Sequence, residues 1–215
     1  MEKNYTIEHM EEEGTPYISS IVSEDIVYLD NCSQCGRIRF NENNHDLSLV
    51  IDGENKLPDF LLCGEFPLNI VSNRVIDVWD KYNLTGYDAF PIKFLYDTNM
   101  NEIISDVKYF DIRITNSVEL DFHNMGVKIV NQCSTCNVVE YDKQTWEFGK
   151  ALIIDSSYRN FDLFTIKYFQ NTLSCSKNVL NITYKERLTN FSFKPFESSF
   201  DPFYDIDDSF LETFV

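Results

Sequence analysis

Four cysteines in this chain are of the right type and spacing for chemistry. They form two short motifs, Cys32-Ser33-Gln34-Cys35 and Cys133-Ser134-Thr135-Cys136. A CxxC pair holds two thiolates close enough to chelate one Zn²⁺, and four thiolates complete a tetrahedral structural site with no position left for water. The residue after the second cysteine of such a knuckle often needs a left-handed backbone. Gly36 adopts one freely, and Asn137 tolerates it. The two pairs are separated by 97 residues, against roughly 15 to 20 in a compact zinc ribbon. A shared ion therefore requires a fold that brings the two knuckles together.

Two other readings of the cysteines stand beside this one. The thiols could be unligated and packed as small apolar residues, or one pair could do redox work. A redox pair sits at a helix N-terminus that lowers the thiol pKa. Here Cys35 is followed by Gly36-Arg37-Ile38-Arg39-Phe40, which alternates like a strand, so redox chemistry is disfavoured. No other catalytic pattern is present. With only seven Gly there is neither a phosphate loop nor a dinucleotide fingerprint. His9, His45 and His123 are scattered, and Glu8-His9-Met10-Glu11 lacks the paired histidines of a zinc protease. No acid/base pair stands near either knuckle, so no catalytic residue is nominated.

An internal repeat supplies the means of bringing the sulfurs together. Residues 72–91 read SNRVIDVWDKYNLTGYDAFP, and residues 176–195, at a shift of 104, read SKNVLNITYKERLTNFSFKP. Ser, Val, Lys, Leu, Thr and Pro coincide at six of these twenty positions. Ile76/Leu180, Val78/Ile182 and Tyr87/Phe191 are close substitutions, and Ile51-Asp52 matches Ile154-Asp155 at a shift of 103. The shared order of knuckle and segment indicates two copies of one unit. Cys63 and Cys175 do not correspond in this register and read as ordinary core or surface thiols.

The elements of each unit follow from periodicity. Val71, Val75, Val78, Trp79 and Tyr82 fall on one helical face, with Ser72 as N-cap and Gly86 just past the end. Phe90, Ile92, Phe94 and Tyr96 then alternate as a strand. In the second copy Val179, Leu180 and Ile182 open a helix, and Phe191 with Phe193 begins the next strand. Between the copies Phe110, Ile112 and Ile114, then Val118, Leu120 and Phe122, alternate with polar residues, as antiparallel strands with one wet face do. The expected class is α+β: two similar β-rich units, about residues 30–96 and 131–197, with one main helix each. They are expected to pack with pseudo-twofold symmetry around a shared four-cysteine zinc site, as a single domain over 1–215 with an acidic aromatic tail at 198–215. Each copy alone is small, with one apolar helix face to bury.

Composition bounds the partners. Among 215 residues, 43% belong to the hydrophobic set and 15% are aromatic, enough for a substantial core. Eighteen Lys and Arg against 35 Asp and Glu give a net charge of −17. Such a molecule repels phosphate backbones and anionic lipids, which argues against nucleic-acid and membrane partners, and it attracts a basic protein. Residues 1–14 have neither the basic nor the apolar region of a signal peptide, and no run approaches the length of a membrane span. The expected location is cytoplasmic, where cysteines stay as thiols or metal ligands.

Taken together, Cys32-x-x-Cys35-Gly36, Cys133-x-x-Cys136 and the Ser-x-x-Val…Leu-Thr-x-aromatic segments resemble the double-CXXCG motif proteins, relatives of polymorphic-toxin immunity proteins. Leu57-Pro58-Asp59-Phe60 and Ile70-Val71-Ser72-Asn73-Arg74-Val75 are similar to that family's "PDF…VSERV…LTG" pattern. The resemblance covers roughly residues 30 to 197. Asn137 departs from the family glycine, and Asn178 stands in place of the arginine at the start of the second helix. The resemblance implies zinc on the cysteines and a non-catalytic role in neutralising a cognate toxin; the chain is expected as a monomer or homodimer. The alternatives are a zinc-stapled scaffold or, less favoured, a thiol-disulfide or zinc-dependent enzyme. In the tail, Asp201, Phe203, Tyr204, Asp205, Asp207 and Asp208 mix acid and aromatic groups that could wrap a basic toxin, with the rings as anchors. Equally, the tail could pack on its own domain with its charges outward.

Overall fold

The computed structural model describes residues 4–9, 14–22, 28–29, 32–36, 39–40, 46–53, 56–61, 63, 68–136, 139–142, 153–154, 160–167 and 169–196. In chain order the first half contains β1 (Asn4–His9), β2 (Tyr17–Ile21), β3 (Tyr28–Leu29), β4 (Arg39–Phe40), β5 (Ser48–Asp52), β6 (Phe60–Leu61), β7 (Ile70–Ser72), α1 (Asn73–Lys81), β8 (Tyr87–Pro91) and β9 (Phe94–Tyr96). The second half contains β10 (Tyr109–Ile114), β11 (Ser117–Val118), β12 (Ile129–Gln132), β13 (Val139–Tyr141), β14 (Leu163–Ile166), β15 (Phe169–Ser176), α2 (Lys177–Lys185) and β16 (Phe191–Pro195). Among the described residues the fold is β-rich α+β, with two helices, several sheets and the four cysteines joining two halves. Neither helix is long and apolar enough to cross a membrane.

The repeat is visible strand by strand. One sheet has the order β6-β7-β10-β8, and the larger one is β11-β14-β15-β1-β16. Apart from the added β11, the two orders coincide when β6, β7 and β8 are matched to β14, β15 and β16. The middle strands β10 and β1 lie outside the segments 30–96 and 131–197 in which the sequence shows its clearest similarity. Each occupies the same slot, antiparallel to both neighbours. β1 comes from the beginning of the chain yet sits in the sheet of the second repeat. β10 begins the second repeat yet sits in the sheet of the first.

The helices follow from the apolar spacing read in the sequence. Val75, Val78 and Trp79 are buried on α1, and Val179, Leu180, Ile182 and Thr183 on α2. Val71 lies inside β7 rather than opening the helix, paired with Phe60 and Phe110 on its two sides, so its backbone groups already belong to the sheet. Ser72 and Ser176 hold the N-cap positions with extended backbones, but neither side chain caps its helix. The first helix ends at Lys81 with Tyr82 as C-cap, and the left-handed residue that closes it is Asn83 rather than Gly86. Asn83 has φ +54, its N–H bonds to Asp80 C=O, and Leu84 N–H reaches back to Trp79 C=O. This double closure is the Schellman arrangement. Arg187, at φ +53, closes α2 through the same two bonds, to Tyr184 and Thr183.

Three further expectations are corrected. The alternating stretch from Phe90 to Tyr96 is two strands, β8 beside β10 and β9 parallel to β5, because the chain changes sheets between Pro91 and Phe94. Val118 to Phe122 does not continue as an antiparallel strand. Ser117–Val118 runs parallel to β14, Leu120 makes a single antiparallel bridge to Ile153, and Asp121 then nucleates a turn by accepting bonds from the Asn124 N–H and amide. β10 also lacks a fully wet face, since Asp111 is 1% exposed and is paired with Arg113 at 2.5 Å.

The largest core cluster belongs to both repeats. It contains Val75, Val78 and Trp79 of α1, Val179, Leu180 and Ile182 of α2, and Tyr5, Ile7 and Ile112 from the exchanged strands. Phe60 of the first repeat stacks on Phe191 of the second with ring centroids 4.9 Å apart. Separate satellites lie under β2 and β5 in the first half, and around Met125, Phe164 and Phe196 in the second.

Candidate metal centre

Each knuckle interrupts a two-stranded antiparallel ribbon. Cys32 and Cys35 lie between β3 and β4, Cys133 and Cys136 between β12 and β13. In the first knuckle the turn closes through a 2.8 Å bond from Gly36 N–H to Cys32 C=O, with Gly36 at φ +70. Asn137, its counterpart, lies outside the described residues.

The two knuckles face each other. Cys32 Sγ is 3.7 Å from Cys133 Sγ, and Cys35 Sγ is 3.5 Å from Cys136 Sγ. All four sulfurs lie within 4.8 Å of one another. A tetrahedron with metal–sulfur bonds of about 2.3 Å has sulfur–sulfur edges of about 3.8 Å, so these residues fit such an ion. The contacts are far longer than a disulfide of about 2.05 Å, and all six cysteines are free thiols. Among the described residues no other group of three or more His, Cys, Asp or Glu side chains is placed to hold a metal ion. Cys32 and Cys133 are buried, Cys136 is half-buried and Cys35 is exposed, so the site lies with one side toward solvent.

Local dipoles favour thiolates. The backbone N–H groups of Cys35 and then Gln34 point at Cys32 and bring its thiol down to about 6. The N–H of Cys136 leads the lowering at Cys133. This is the protonation state that metal ligation requires. Gln34 ties the knuckles together without any ion. Its Oε1 accepts hydrogen bonds from Ser134 Oγ at 2.8 Å and Thr135 Oγ1 at 2.9 Å.

The remaining cysteines are core thiols. Cys63 is 2% and Cys175 0% exposed, and burial pushes both thiols well above their ordinary range. Cys175 takes the place that Val71 holds in the first repeat, which is an apolar packing role.

Polar residues of the two repeats, among them Ser72, which periodicity marks only as an N-cap, form a clamp between the repeats. Ser72 Oγ donates to Asp59 Oδ1 at 2.8 Å, and Arg74 Nη1 lies 2.7 Å from Asp59 Oδ2. From the other repeat, Thr189 donates to Asp59 Oδ2 through its N–H at 2.8 Å and its hydroxyl at 3.1 Å. Reciprocally, Thr85 donates to Asp162 Oδ2 through both groups at 3.1 Å, and Ser176 Oγ to Asp162 Oδ1 at 3.4 Å. The signal was present in the sequence, since Asp59/Asp162, Ser72/Ser176 and Thr85/Thr189 recur at shifts of 103 and 104.

The nominated tail residues Asp201, Phe203, Tyr204, Asp205, Asp207 and Asp208 lie outside the described residues. No protein-family model matches this chain, and no curated protein matches it either.

Proposed function

We propose that Cys32, Cys35, Cys133 and Cys136 hold one Zn²⁺ as a structural staple, and that the chain is a non-catalytic immunity protein neutralising a basic cognate toxin in the cytoplasm. The convergence of four sulfurs on one point carries the metal reading. Four thiolates leave no coordination position for water or substrate, which favours a structural ion over a catalytic one. Gln34 and the thiolate-stabilising N–H groups support the same reading. The toxin reading rests on the resemblance to the double-CXXCG proteins and on the net charge of −17. An inhibitor of that charge would associate quickly with a basic nuclease-like surface and complement it. Acidic residues without basic neighbours occur at Glu11, Glu12 and Glu13 and in the tail, where their charge complements a basic partner.

Two measurements test the two parts. Metal analysis of the purified chain should give one zinc per molecule, and less than half an equivalent would remove the staple. Co-expression with the toxin encoded by the neighbouring gene should restore growth, with affinity falling steeply as salt rises. Loss of rescue by every neighbouring toxin, with zinc still bound, would leave the scaffold reading in its place.

A further inference from the structure

β7 and β8 run parallel to each other, joined by α1, and β15 and β16 run parallel, joined by α2. In both crossovers the two strands are not neighbours. A gap one strand wide remains between them, and an empty gap would leave two inner backbone edges without partners. The filler of each gap comes from the other repeat. In chain order each repeat is an opening strand, a cysteine knuckle and a strand–helix–strand unit, yet each opening strand lies in the opposite sheet.

The two fillers are equivalent in sequence and register. At a shift of 105, Lys3, Tyr5 and Ile7 match Lys108, Phe110 and Ile112. Tyr5 lies opposite Cys175 and Pro195, as Phe110 lies opposite Val71 and Pro91. Tyr5 is 1%, Ile7 5% and Ile112 1% exposed, and all three join the core shared by both helices, while Phe110 is half-buried.

We propose that β1 and β10 are reciprocal exchange strands and that the two repeats are obligate binding partners. Each slot takes an extended segment whose isoleucine, two positions after an aromatic residue, enters the shared core. The chain is then the covalently closed form of a strand-exchanged dimer of single repeats. Its halves stay associated through these strands and the Asp59 and Asp162 clamps, whether or not the knuckles hold a metal. This interaction is separate from the toxin reading and does not depend on it.

The test is to cut the loop between the repeats in the otherwise intact protein. Ile104 is 95% exposed, and a specific protease site inserted after it allows cleavage of the folded chain. The two fragments should co-elute as a 1:1 complex at the position of the 25.2 kDa chain, and should still do so after chelation or with Cys32→Ser. Separation of the fragments on chelation would overturn the proposal, because the metal would then be the sole clamp. Separation even with metal bound would overturn it too. If the insertion prevents folding, hydrogen exchange on the uncut wild-type chain decides. With chelator present, amides of β1 and β10 should be as protected as those of β15 and β7, and a selective loss in β1 and β10 would overturn the proposal.

Discussion

Thr189 closes on Asp59 across 130 residues of chain, donating both its N–H and its hydroxyl to one carboxylate oxygen. The reciprocal pair, Thr85 on Asp162, spans 77 residues. The first pair has more support. Arg74 also holds Asp59, and through Nη2 donates to the Glu186 and Arg187 carbonyls at the end of α2, at 2.5 and 3.2 Å. Asn178, the counterpart of Arg74, makes only a 3.4 Å contact with Asp162.

The two clamps should therefore differ in worth. Asp59→Ala removes the carboxylate that accepts from Ser72, Thr189 and Arg74 Nη1 and should cost about 3 kcal/mol of unfolding free energy. Asp162→Ala should cost about 1 kcal/mol. Denaturant unfolding of both variants measures the difference, and equal losses would contradict the asymmetry.

The thiols should become reactive in steps. With metal bound, a thiol reagent should find no fast-reacting cysteine. After chelation, Cys32, Cys35, Cys133 and Cys136 should react, and Cys63 and Cys175 only on unfolding, since both are buried with raised thiol pKa values. Cys32→Ser or Cys133→Ser should each lose the metal and lower the melting temperature, because an incomplete site binds weakly. Full metal content in both variants would show that the knuckles do not share an ion.

Glycine substitutions should separate strain from collision. A Cβ on Gly86 would sit 2.2 Å from Leu163 C=O, at φ +103. Gly86→Ala should therefore cost about 3 kcal/mol. At Gly36 nothing lies within 4 Å and φ is +70, so Gly36→Ala should cost about 1 kcal/mol. Gly36→Asn should be near neutral, since the second knuckle already carries asparagine there. Thermal unfolding of the three variants orders these costs.

Acid should weaken the fold through carboxylates that gain partners. Lys81, followed by Tyr82, holds Glu186 below its ordinary 4.5. Asn101 lowers Asp97 and the Asn124 N–H lowers Asp121, each from 3.8. A depressed carboxylate contributes its full stabilisation above the unfolded value, and loses it as pH falls through the folded one. Melting temperature should accordingly drop below about pH 4.5, and Glu186→Gln should show a shallower drop. An unchanged slope would mean that Lys81 and Tyr82 do not stabilise the charged form.

The two CxxC motifs, the shift of 104 and the apolar face of each helix are local patterns, so the sequence by itself was enough to identify the four cysteines that converge, the repeat and the helical segments. It could not say which strands pair. Tyr5-x-Ile7 and Phe110-x-Ile112 announce a strand through alternation, but alternation fixes the buried face and not the neighbour. Only the tertiary structure seats β1 in the second sheet and β10 in the first. It also decides the helix ends. Gly86 is the more permissive residue, yet the left-handed turns fall at Asn83 and Arg187, because two backbone bonds and the burial of Leu84 and Leu188 outweigh the local penalty of a side chain at positive φ. Contacts between residues a hundred positions apart leave no local trace, and in this protein those contacts bring the four sulfurs together.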